Sequence, residues 1–416
     1  MKRIAVIGAG ISGLAAAYLL SRRHQVSLFE REPRLGGHTN TIRVPSEDGA
    51  VALDTGFLVH NEHTYPGLVR LFRELDVETR PSDMSFSVSC PVTGIEYSSR
   101  GALGFFAQPR NVVRLDHYRL LRDIIRFNRE APAVLTTPGA EACTLGAFVA
   151  REGYSDAFTA RYLVPMTSAI WSASSASMAA FPMGMLVRFM QNHGMLSLAS
   201  PIPWRVVRGG SDTYIAPMTR PLADRIHRGA RIESVRRGER AVSIVFEDKS
   251  AQTFDEVVFA CHGDQVLPLL GDPTDAERDI FGAFTTTVNE TVLHTDSRVL
   301  PQSARARASW NYRLDGGPEQ SPSVTYDLNR LQGLTGRTQY CVTLNPRSPL
   351  DQSMIIRRFI YRHPRFTQAA IHAQASWAQV SGRHRTHYCG AYWRYGFHED
   401  GVMSAQRVAN DLGVAW

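Results

Sequence analysis

A glycine-rich turn close to the start of the chain most constrains what this sequence can fold into. Gly8, Gly10 and Gly13 follow the short apolar run RIAVI and precede ISGLAAAYLL, which carries helix-forming residues at helical spacing. In a G-x-G-x-x-G turn the first glycine makes the bend, the second admits a pyrophosphate, and the third lets helix and strand pack closely. The phosphates lie at the helix N-terminus, next to Ser12. The pattern predicts a dinucleotide-binding strand–helix–strand unit.

The next strand and a second glycine cluster narrow the choice of dinucleotide. QVSLFE ends at Glu30, 17 residues after Gly13, where a carboxylate can accept hydrogen bonds from an adenosine ribose; Arg31 follows it. Gly36 and Gly37 then make another turn that a ligand can approach closely. A second close-approach turn suits a long dinucleotide, so the sequence favours FAD over NAD.

These motifs resemble those of the flavin-containing amine oxidase superfamily, which includes protoporphyrinogen oxidases and carotenoid desaturases, and in particular a bacterial branch of predicted NAD/FAD-binding proteins. In that family an R-x-G-G turn after the acidic strand end contacts the FAD phosphates. His38 stands here where an arginine is usual, and Thr39 and Asn40 follow it. The resemblance implies an α/β fold with a Rossmann-like FAD-binding domain, an interleaved α+β substrate domain of the amine-oxidase type, and non-covalent FAD.

Further motifs extend the resemblance along the chain, in LDTGFLVHNEHTYPGL, RGGSDTYIAPM, ARIESV, EVVFACHG and HYCGAYWRYGFHEDGVMSAQRVANDLG. A helix N-terminus in the last of these would stabilise negative charge on a reduced flavin. The cofactor positions implied by the matches are Asp54, Thr55, Gly56 and Phe57 beneath the flavin, Ile232 and Ala260 on the adenine side, Gly390 near the diphosphate or ribityl chain, and Glu399, Asp400, Gly401 and Val402 along the pyrimidine ring.

The positions of these motifs predict how the chain divides into domains. The FAD-binding domain is expected to comprise residues 1–75, 203–270 and 380–416. Residues 76–202 and 271–379 are expected to form the substrate-binding domain. Because ligand pockets favour domain interfaces, the reaction is expected to take place between the two domains.

The lysines bear on the chemistry. Amine-oxidising relatives commonly hold a lysine near the flavin N5, but this chain has only Lys2 and Lys249, neither in a position predicted to reach the flavin. The favoured interpretation is therefore hydride removal, or removal and return, on a lipophilic substrate such as an unsaturated or modified fatty-acyl chain. A flavin amine oxidase acting on a primary amine or polyamine, and a non-enzymatic flavoprotein that binds lipid or a partner, stay open. His398 and Tyr392 are the candidate catalytic residues.

Two segments bear on the substrate and on partners. The methionine-rich stretch 178–196 suits either a lipophilic tunnel or an ordinary core. The arginine-rich segment 108–130 predicts a basic amphipathic helix, which either contacts an anionic membrane surface or presents a solvated face above a core. The net charge is +7, and nearly all the cationic residues are arginine. Peripheral membrane contact is thus one alternative, and no nucleic-acid partner is expected.

Cysteine and histidine usage suggests a reducing compartment and no metal. The five cysteines include no C-x-x-C pair. The H-x-x-H pairs His60/His63 and His384/His387 lack the cysteine or carboxylate company of a metal site. No apolar run is long enough to span a membrane. A cytoplasmic protein is expected, with peripheral contact at the inner membrane surface left open and the oligomeric state undetermined.

Overall fold

The computed structural model describes residues 1–46, 49–137, 142–197, 202–315 and 321–416. The strands in these residues are β1 (Arg3–Ile7), β2 (Gln25–Glu30), β3 (Thr41–Ser46), β4 (Gly49–Asp54), β5 (His60–Asn61), β6 (Thr79–Ser82), β7 (Phe86–Ser89), β8 (Glu96–Ser98), β9 (Trp204–Val207), β10 (Ile226–Arg228), β11 (Ile232–Arg237), β12 (Val242–Phe246), β13 (Ala251–Phe254), β14 (Glu256–Phe259), β15 (Thr285–His294), β16 (Trp310–Arg313), β17 (Ser323–Asp327), β18 (Cys341–Leu344), β19 (Ile355–Arg365) and β20 (Thr386–Tyr388).

The α-helices of the same residues are α1 (Ile11–Leu20), α2 (Pro66–Glu74), α3 (Gly101–Phe105), α4 (Pro109–Val112), α5 (Leu115–Glu130), α6 (Leu145–Glu152), α7 (Asp156–Phe158), α8 (Val164–Trp171), α9 (Ser175–Ala179), α10 (Met183–Asn192), α11 (Ile215–Thr219), α12 (Val266–Leu269), α13 (Asp275–Gly282), α14 (Leu328–Gln332), α15 (Gln368–Ala375), α16 (Trp377–Val380) and α17 (His398–Asp411). A π-helical turn, Thr159–Leu163, joins α7 to α8.

A five-stranded parallel sheet lies at the centre of the cofactor region, with strand order β10–β2–β1–β14–β20. In its register, Ile7 of β1 lies opposite Phe29 on one side and Phe259 on the other. Strand β1 is apolar throughout its interior because both faces of a parallel sheet are covered. Helices α1 and α17 pack on one face, and the antiparallel sheet β11–β12–β13 contributes to the core on the other.

A seven-stranded mixed sheet organises the second region, in the order β19–β15–β18–β17–β16–β7–β8. Residues of helices α5 to α10 build a core with its β7 and β16 end. A small sheet, β5–β9–β6, joins segments of both predicted domains. The predicted α/β class is confirmed, and the five-stranded sheet takes strands from all three segments expected to bind FAD. The exact domain boundaries stay predictions.

The two compositionally biased segments both supply core residues. Met178, Met183 and Met190 are fully buried, in agreement with the core interpretation of the methionine-rich stretch. Helix α5 buries Leu120 and Phe127 and turns its arginines outward. No helix in the described ranges is both long and apolar enough to cross a bilayer.

Candidate functional site

The two glycine clusters meet in space and form one structure, called here the glycine cradle (residues 8–13 and 36–37). The Gly36 N–H donates to the Ala9 carbonyl at 2.8 Å, and Gly10 and Gly36 pair as an isolated parallel bridge. A Cβ added to Gly37 would lie 3.1 Å from the Gly10 Cα. Gly8, Gly36 and Gly37 have φ values of 103°, 108° and 58°, which favour glycine. The two glycine clusters, which lie close together in the sequence, therefore form two turns that contact each other directly.

Close packing beside the cradle also requires glycine. A Cβ on Gly13 would lie 1.8 Å from the Gly8 carbonyl oxygen and 3.1 Å from the Ala260 Cβ. The Ala260 N–H donates to the Ile7 carbonyl at 2.8 Å, which holds the end of β14 against this turn. The third glycine therefore lets α1 approach the sheet, as predicted.

The open side of the cradle fits a dinucleotide phosphate. A Cβ on Gly10 would meet nothing within 4 Å. Helix α1 begins at Ile11 with no side-chain cap and no acidic residue in its first turn, and Ser12 is buried there. A helix N-terminus without an anionic cap attracts phosphate through its backbone N–H groups and its dipole. The predicted phosphate contacts Gly8, Gly10, Ser12 and Gly13 thus lie at a helix N-terminus that a dinucleotide phosphate can approach.

Glu30 connects the cradle to the predicted adenine side. Its carboxylate accepts from the Ala9 N–H at 2.7 Å and the Glu32 N–H at 2.9 Å. The Ala230 N–H donates to the Glu30 carbonyl at 2.8 Å, two residues before Ile232 opens β11. Each carboxylate oxygen keeps acceptor capacity for a ribose hydroxyl. The start of β11, with Ile232, therefore lies close to the end of β2, with Glu30.

A second strip of backbone, residues 54–57, lies against residues 38–40. The Thr55 N–H and hydroxyl both donate to the Asn40 carbonyl, at 3.0 and 2.9 Å. The Phe57 N–H donates to the His38 carbonyl at 2.9 Å, and a Cβ on Gly56 would lie 2.2 Å from the same oxygen. The two predicted cofactor motifs therefore form one continuous surface beside the cradle.

Asp54 is a buried carboxyl at the edge of this surface. Its Oδ1 accepts from the Thr41 hydroxyl at 2.6 Å and from the N–H and hydroxyl of Ser211, both at 2.8 Å. Its Oδ2 is buried without a hydrogen-bond partner. Burial raises the pKa of Asp54 to about 6, although the donors to Oδ1 favour the charged form. Asp54 links β4 to the RGGSDTY motif that follows β9.

Strand β19 of the seven-stranded sheet contributes a wall above residues 38–40. The Tyr361 hydroxyl accepts from Asn40 Nδ2 at 2.8 Å and shares a 2.7 Å hydrogen bond with the Thr55 hydroxyl. The Tyr361 ring stacks on the His38 imidazole with a 4.9 Å centroid separation, and the His363 ring lies 5.2 Å from His38. These contacts join the substrate-side sheet to the cofactor motifs.

His262 completes a group of three imidazoles, the histidine cluster (His38, His262 and His363). The His262 ring lies 5.9 Å from that of His38. Enclosure in protein lowers the pKa of all three, to about 4 for His363, and repulsion from neighbouring imidazoles adds to the effect at His38 and His363. The three rings are therefore neutral at physiological pH. His38 Nε2 is buried without a partner, a polar atom able to meet a ligand such as an FAD phosphate.

The C-terminal motif brings Gly390 and Tyr392 together. The Gly390 N–H donates to the Ser404 hydroxyl at 3.0 Å, and a Cβ on Gly390 would lie 2.2 Å from a ring carbon of Tyr392. Tyr392 is buried, its hydroxyl has no hydrogen-bond partner, and burial raises its pKa well above the usual value. A small cavity of about 10 Å³ is lined in part by Tyr392, Phe284 and His262. Tyr392 thus borders the histidine cluster.

His398 lies at the start of α17 and contacts the other predicted flavin segment. Its ring stacks on Phe57 at 3.8 Å, and its Nε2 is 3.1 Å from the Thr39 hydroxyl. Enclosure lowers its pKa to about 3, which favours a neutral imidazole near pH 7; the catalytic role of His398 stays a prediction. Among the described residues, no hydrogen bond or ring contact joins His398 to Tyr392.

The acidic residues after His398 have structural partners. The Glu399 carboxylate accepts from the Gly67 N–H at 2.9 Å and the Leu68 N–H at 2.8 Å, and so caps the start of α2. Asp400 accepts from the Phe397 N–H at 2.9 Å, and burial raises its pKa to about 7. Only the backbone of this segment is left to face a flavin.

Gly401 and Val402 hold the start of α17 against the cradle helix. A Cβ on Gly401 would lie 2.7 Å from the Ser12 hydroxyl and 2.8 Å from Ile11 Cγ2. Val402 is fully buried in the same core as α1. The segment predicted to face the flavin ring and the segment predicted to hold the phosphates therefore pack against each other.

One predicted FAD residue lies away from the cradle, and three residues of the site were missed in the sequence. Arg31 is exposed, pairs with Glu32 at 3.5 Å and makes no contact with the cradle among the described residues. Tyr361, His363 and His262 were missed. The period-two spacing of Phe359, Tyr361 and His363 in IIRRFIYRHPR was a signal that one face of this strand is enclosed. Nothing local in the sequence indicates which segment that face meets.

Comparison with known proteins identifies the fold family. A profile described as "Flavin containing amine oxidoreductase" matches residues 11–368. The chain belongs to this family. The match confirms the predicted family and the FAD cofactor. The assignment of individual residues to FAD, and its non-covalent attachment, stay predictions.

Individual relatives are more distant. The chain is 34% identical over 131 residues to amine oxidase [flavin-containing] A of Canis lupus familiaris, which covers 31% of this chain and 24% of that protein. The chain thus spans about a quarter of the length of the curated relatives it first matches.

Solved structures show the same fold over nearly the whole chain. Wild-type putrescine oxidase bound to putrescine has a TM-score of 0.69 at 13% identity and covers 99% of this chain and 98% of its own. A CLA-producing fatty acid isomerase from P. acnes has a TM-score of 0.69 at 15% identity, with 98% of each chain covered. The amine-oxidase-like architecture is therefore confirmed.

Proposed function

We propose that this protein uses FAD to remove a hydride, or to remove and return one, at an allylic or similarly activated carbon of a lipophilic substrate. An unsaturated or modified fatty-acyl chain is the substrate class we favour. The observation that carries the proposal is the position of the lysines, supported by the uncharged character of the wall beside the cradle.

Neither lysine is available to the cradle. Lys2 precedes β1, at the opposite end of that strand from Gly8, and its Nζ pairs with Glu256 at 2.8 Å. Lys249 is exposed in the turn between β12 and β13 and pairs with Glu233 at 2.7 Å. The water-linked lysine implied by resemblance to amine oxidases has no equivalent at this site.

The wall beside the cradle suits an uncharged substrate. The histidine cluster is neutral, and the neighbouring Tyr361 is a phenol with a raised pKa because it is enclosed. Beyond the hydrogen bond that His38 can donate to an FAD phosphate, a charged substrate group against this wall would lose water without gaining an opposite charge. A hydrocarbon chain loses no such hydration.

The chemistry divides between the cofactor and the chain. FAD, when bound, supplies a two-electron acceptor for the hydride leaving the substrate carbon. The enclosed aromatic and imidazole rings exclude water and orient that carbon. His398 donates or accepts a hydrogen bond as a neutral imidazole, and the unpartnered Tyr392 hydroxyl is a second group that can orient a substrate.

The test follows the oxidised-flavin absorption at about 450 nm under anaerobic conditions while oleate, linoleate or spermine is added. Product analysis of the linoleate sample detects a double bond that has moved without net flavin reduction. Bleaching by a lipid, or a shifted double bond, is expected. Bleaching by spermine alone would overturn the proposal.

A paired variant tests the two candidate groups. Replacing His398 and Tyr392 together by phenylalanine is expected to reduce turnover by about a hundredfold or more while FAD remains bound. Tyr118→Phe, on the exposed surface of α5, is the matched control and should leave turnover unchanged. Full turnover in the double variant would remove both residues from the mechanism.

Amine oxidation is the second candidate, and it is favoured by the names of relatives and structural neighbours that act on amines. It requires that an amine be bound in its neutral form without help from a lysine. Hydrogen peroxide released from spermine in air would support this alternative. A protein whose dithionite-reduced flavin fails to reoxidise with any acceptor would instead be a non-enzymatic flavoprotein.

A further inference from the structure

Large apolar side chains stand in solvent on the segment that runs from α3 into α5. They form what we call the apolar patch: Leu103, Val112, Val113, Leu115 and Tyr118, with exposed fractions of 71%, 50%, 80%, 73% and 46%. Single exposed apolar residues are common on proteins, but a group on one short segment marks an interaction surface.

Local contacts hold the patch together as one unit. The Tyr118 hydroxyl donates to the Val112 carbonyl at 2.9 Å, and the Tyr118 ring lies 5.6 Å from that of Phe106. His117 Nε2 and the Phe105 carbonyl are 2.7 Å apart. These contacts therefore hold α3, α4 and the first turn of α5 together, and the side chains of the apolar patch point to solvent.

Helix α5 continues the same surface. Positions 115, 118, 122, 125 and 129 recur at intervals of three and four residues and so share one side of the helix. Ile125 is 50% exposed there, and the side chains of Arg122 and Arg129 are 68% and 77% exposed. The core side is occupied instead by Leu120 and Phe127. The outward face thus alternates apolar residues with arginines.

The surface is strongly cationic. Residues 100–122 contain five arginines and one aspartate, a formal charge of +4. Arg100, Arg110 and Arg114 make no ion pair among the described residues, whereas Arg119 pairs with Asp116 at 3.3 Å and Arg122 with Asp123 at 2.9 Å. Three of the five arginines are therefore free of an internal counter-charge and can meet an external anion.

We propose that the apolar patch and the outward face of α5 dock this protein peripherally on an anionic lipid bilayer. Lipid phosphates would pair with the arginines, and the leucine and valine side chains would enter the headgroup–acyl boundary. A second copy of the chain is a poor occupant, because it would bring equal positive charges together. Free anions or an acidic protein surface could pair with the arginines. Neither offers the apolar layer beneath the charge that the leucine and valine side chains would enter in a bilayer.

The experiment sediments the FAD-loaded protein with vesicles. Binding is expected to vesicles of equal parts phosphatidylglycerol and phosphatidylcholine, and to be about tenfold weaker to phosphatidylcholine alone or at high salt. The double variant V113D/L115D should lose about tenfold in binding, and R119E/R129E should lose a similar factor. An unchanged flavin spectrum would show that each variant is folded.

Matched controls separate this surface from general effects. V288D places a charge at a residue that is 52% exposed on β15, and R220E/R240E reverses two exposed arginines elsewhere with the same change in net charge. Both controls should bind as the wild type does. Equal losses in the controls, equal binding to neutral vesicles, or an absence of wild-type binding would overturn the proposal. So would a change of oligomeric state in V113D/L115D without vesicle binding.

Discussion

The glycine cradle and the wall formed by Tyr361 and the histidine cluster lie beside each other but are built on different principles. The cradle depends on backbone atoms that approach too closely for a side chain, as at Gly13, where a Cβ would lie 1.8 Å from a carbonyl oxygen. The wall depends on contacts between side chains that are far apart in the sequence, such as the hydrogen bond from the Asn40 amide to the Tyr361 hydroxyl. The cradle therefore has no room for a side chain at Gly8, Gly13 or Gly36, whereas substitutions in the wall should have graded effects.

The largest effect is expected for Gly13→Ala. The added methyl group collides with backbone that cannot move without separating α1 from the sheet, so a loss of at least about 3 kcal/mol is expected, together with loss of bound FAD. The ratio of flavin to protein absorbance and the circular dichroism spectrum measure both.

Gly184→Ala in α10 is the matched control for that variant. Its Cβ would meet nothing within 4 Å. Alanine is the better helix former, so a gain of about 0.5–1 kcal/mol is expected. If both variants behaved alike, the close-approach account of the cradle would be wrong.

The next effect concerns the buried carboxyl of Asp54. Its pKa is raised from 3.8 to about 6 in the folded protein, so the folded state binds more protons than the unfolded state between those values. This contribution is full below pH 4 and is lost as the pH rises through about 6. It amounts to about 3 kcal/mol over the whole window, at 1.36 kcal/mol for each pKa unit.

Asp54→Asn should remove that pH dependence, because an amide oxygen can still accept the bonds made to Oδ1. Urea unfolding at pH 5 and pH 8 is the measurement, and the wild type should lose about 1–2 kcal/mol more than the variant over this range. Asp116→Asn, at an exposed position, is the control and should follow the wild type. Parallel pH profiles for D54N and wild type would contradict the raised pKa.

A smaller loss is expected for Tyr361→Phe in the wall. Removal of the hydroxyl leaves the Asn40 amide and the Thr55 hydroxyl with fewer partners, at a cost of about 1–2 kcal/mol in the free energy of unfolding. Tyr118→Phe removes an exposed hydroxyl and should cost less than about 0.5 kcal/mol. Equal losses would show that the wall is no more tightly built than the surface.

The smallest effect is expected for Arg31→Ala, at a residue first assigned to FAD. Because Arg31 is exposed and its one ion pair among the described residues is with Glu32, the Kd for FAD should change less than about threefold. His38→Ala, which removes the unpartnered buried Nε2, should weaken FAD binding by more. Titration of FAD-free protein measures both constants, and the reverse order would restore Arg31 to the site.

The parts predicted well from the sequence share a local cause. Gly8, Gly10 and Gly13 lie within six residues, and the strand and helix on either side are read from adjacent apolar patterns. Gly401 was predicted by resemblance, but its close contact with Ser12 follows only from the packing of α17 on α1. The lowered pKa of His398 could not be predicted from the sequence, because enclosure by residues far away in sequence sets it.

The sequence by itself determined the dinucleotide turn, the strand that carries Glu30 and the scarcity of lysine. Backbone stereochemistry depends on a few adjacent residues, and composition does not depend on the fold at all. Only the tertiary structure decided that the two glycine clusters touch, that Tyr361 reaches Asn40 across 321 positions, and that the histidine cluster is neutral. The physical reason is that loss of water around a group depends on every segment packed against it, and those segments meet only when the chain has folded.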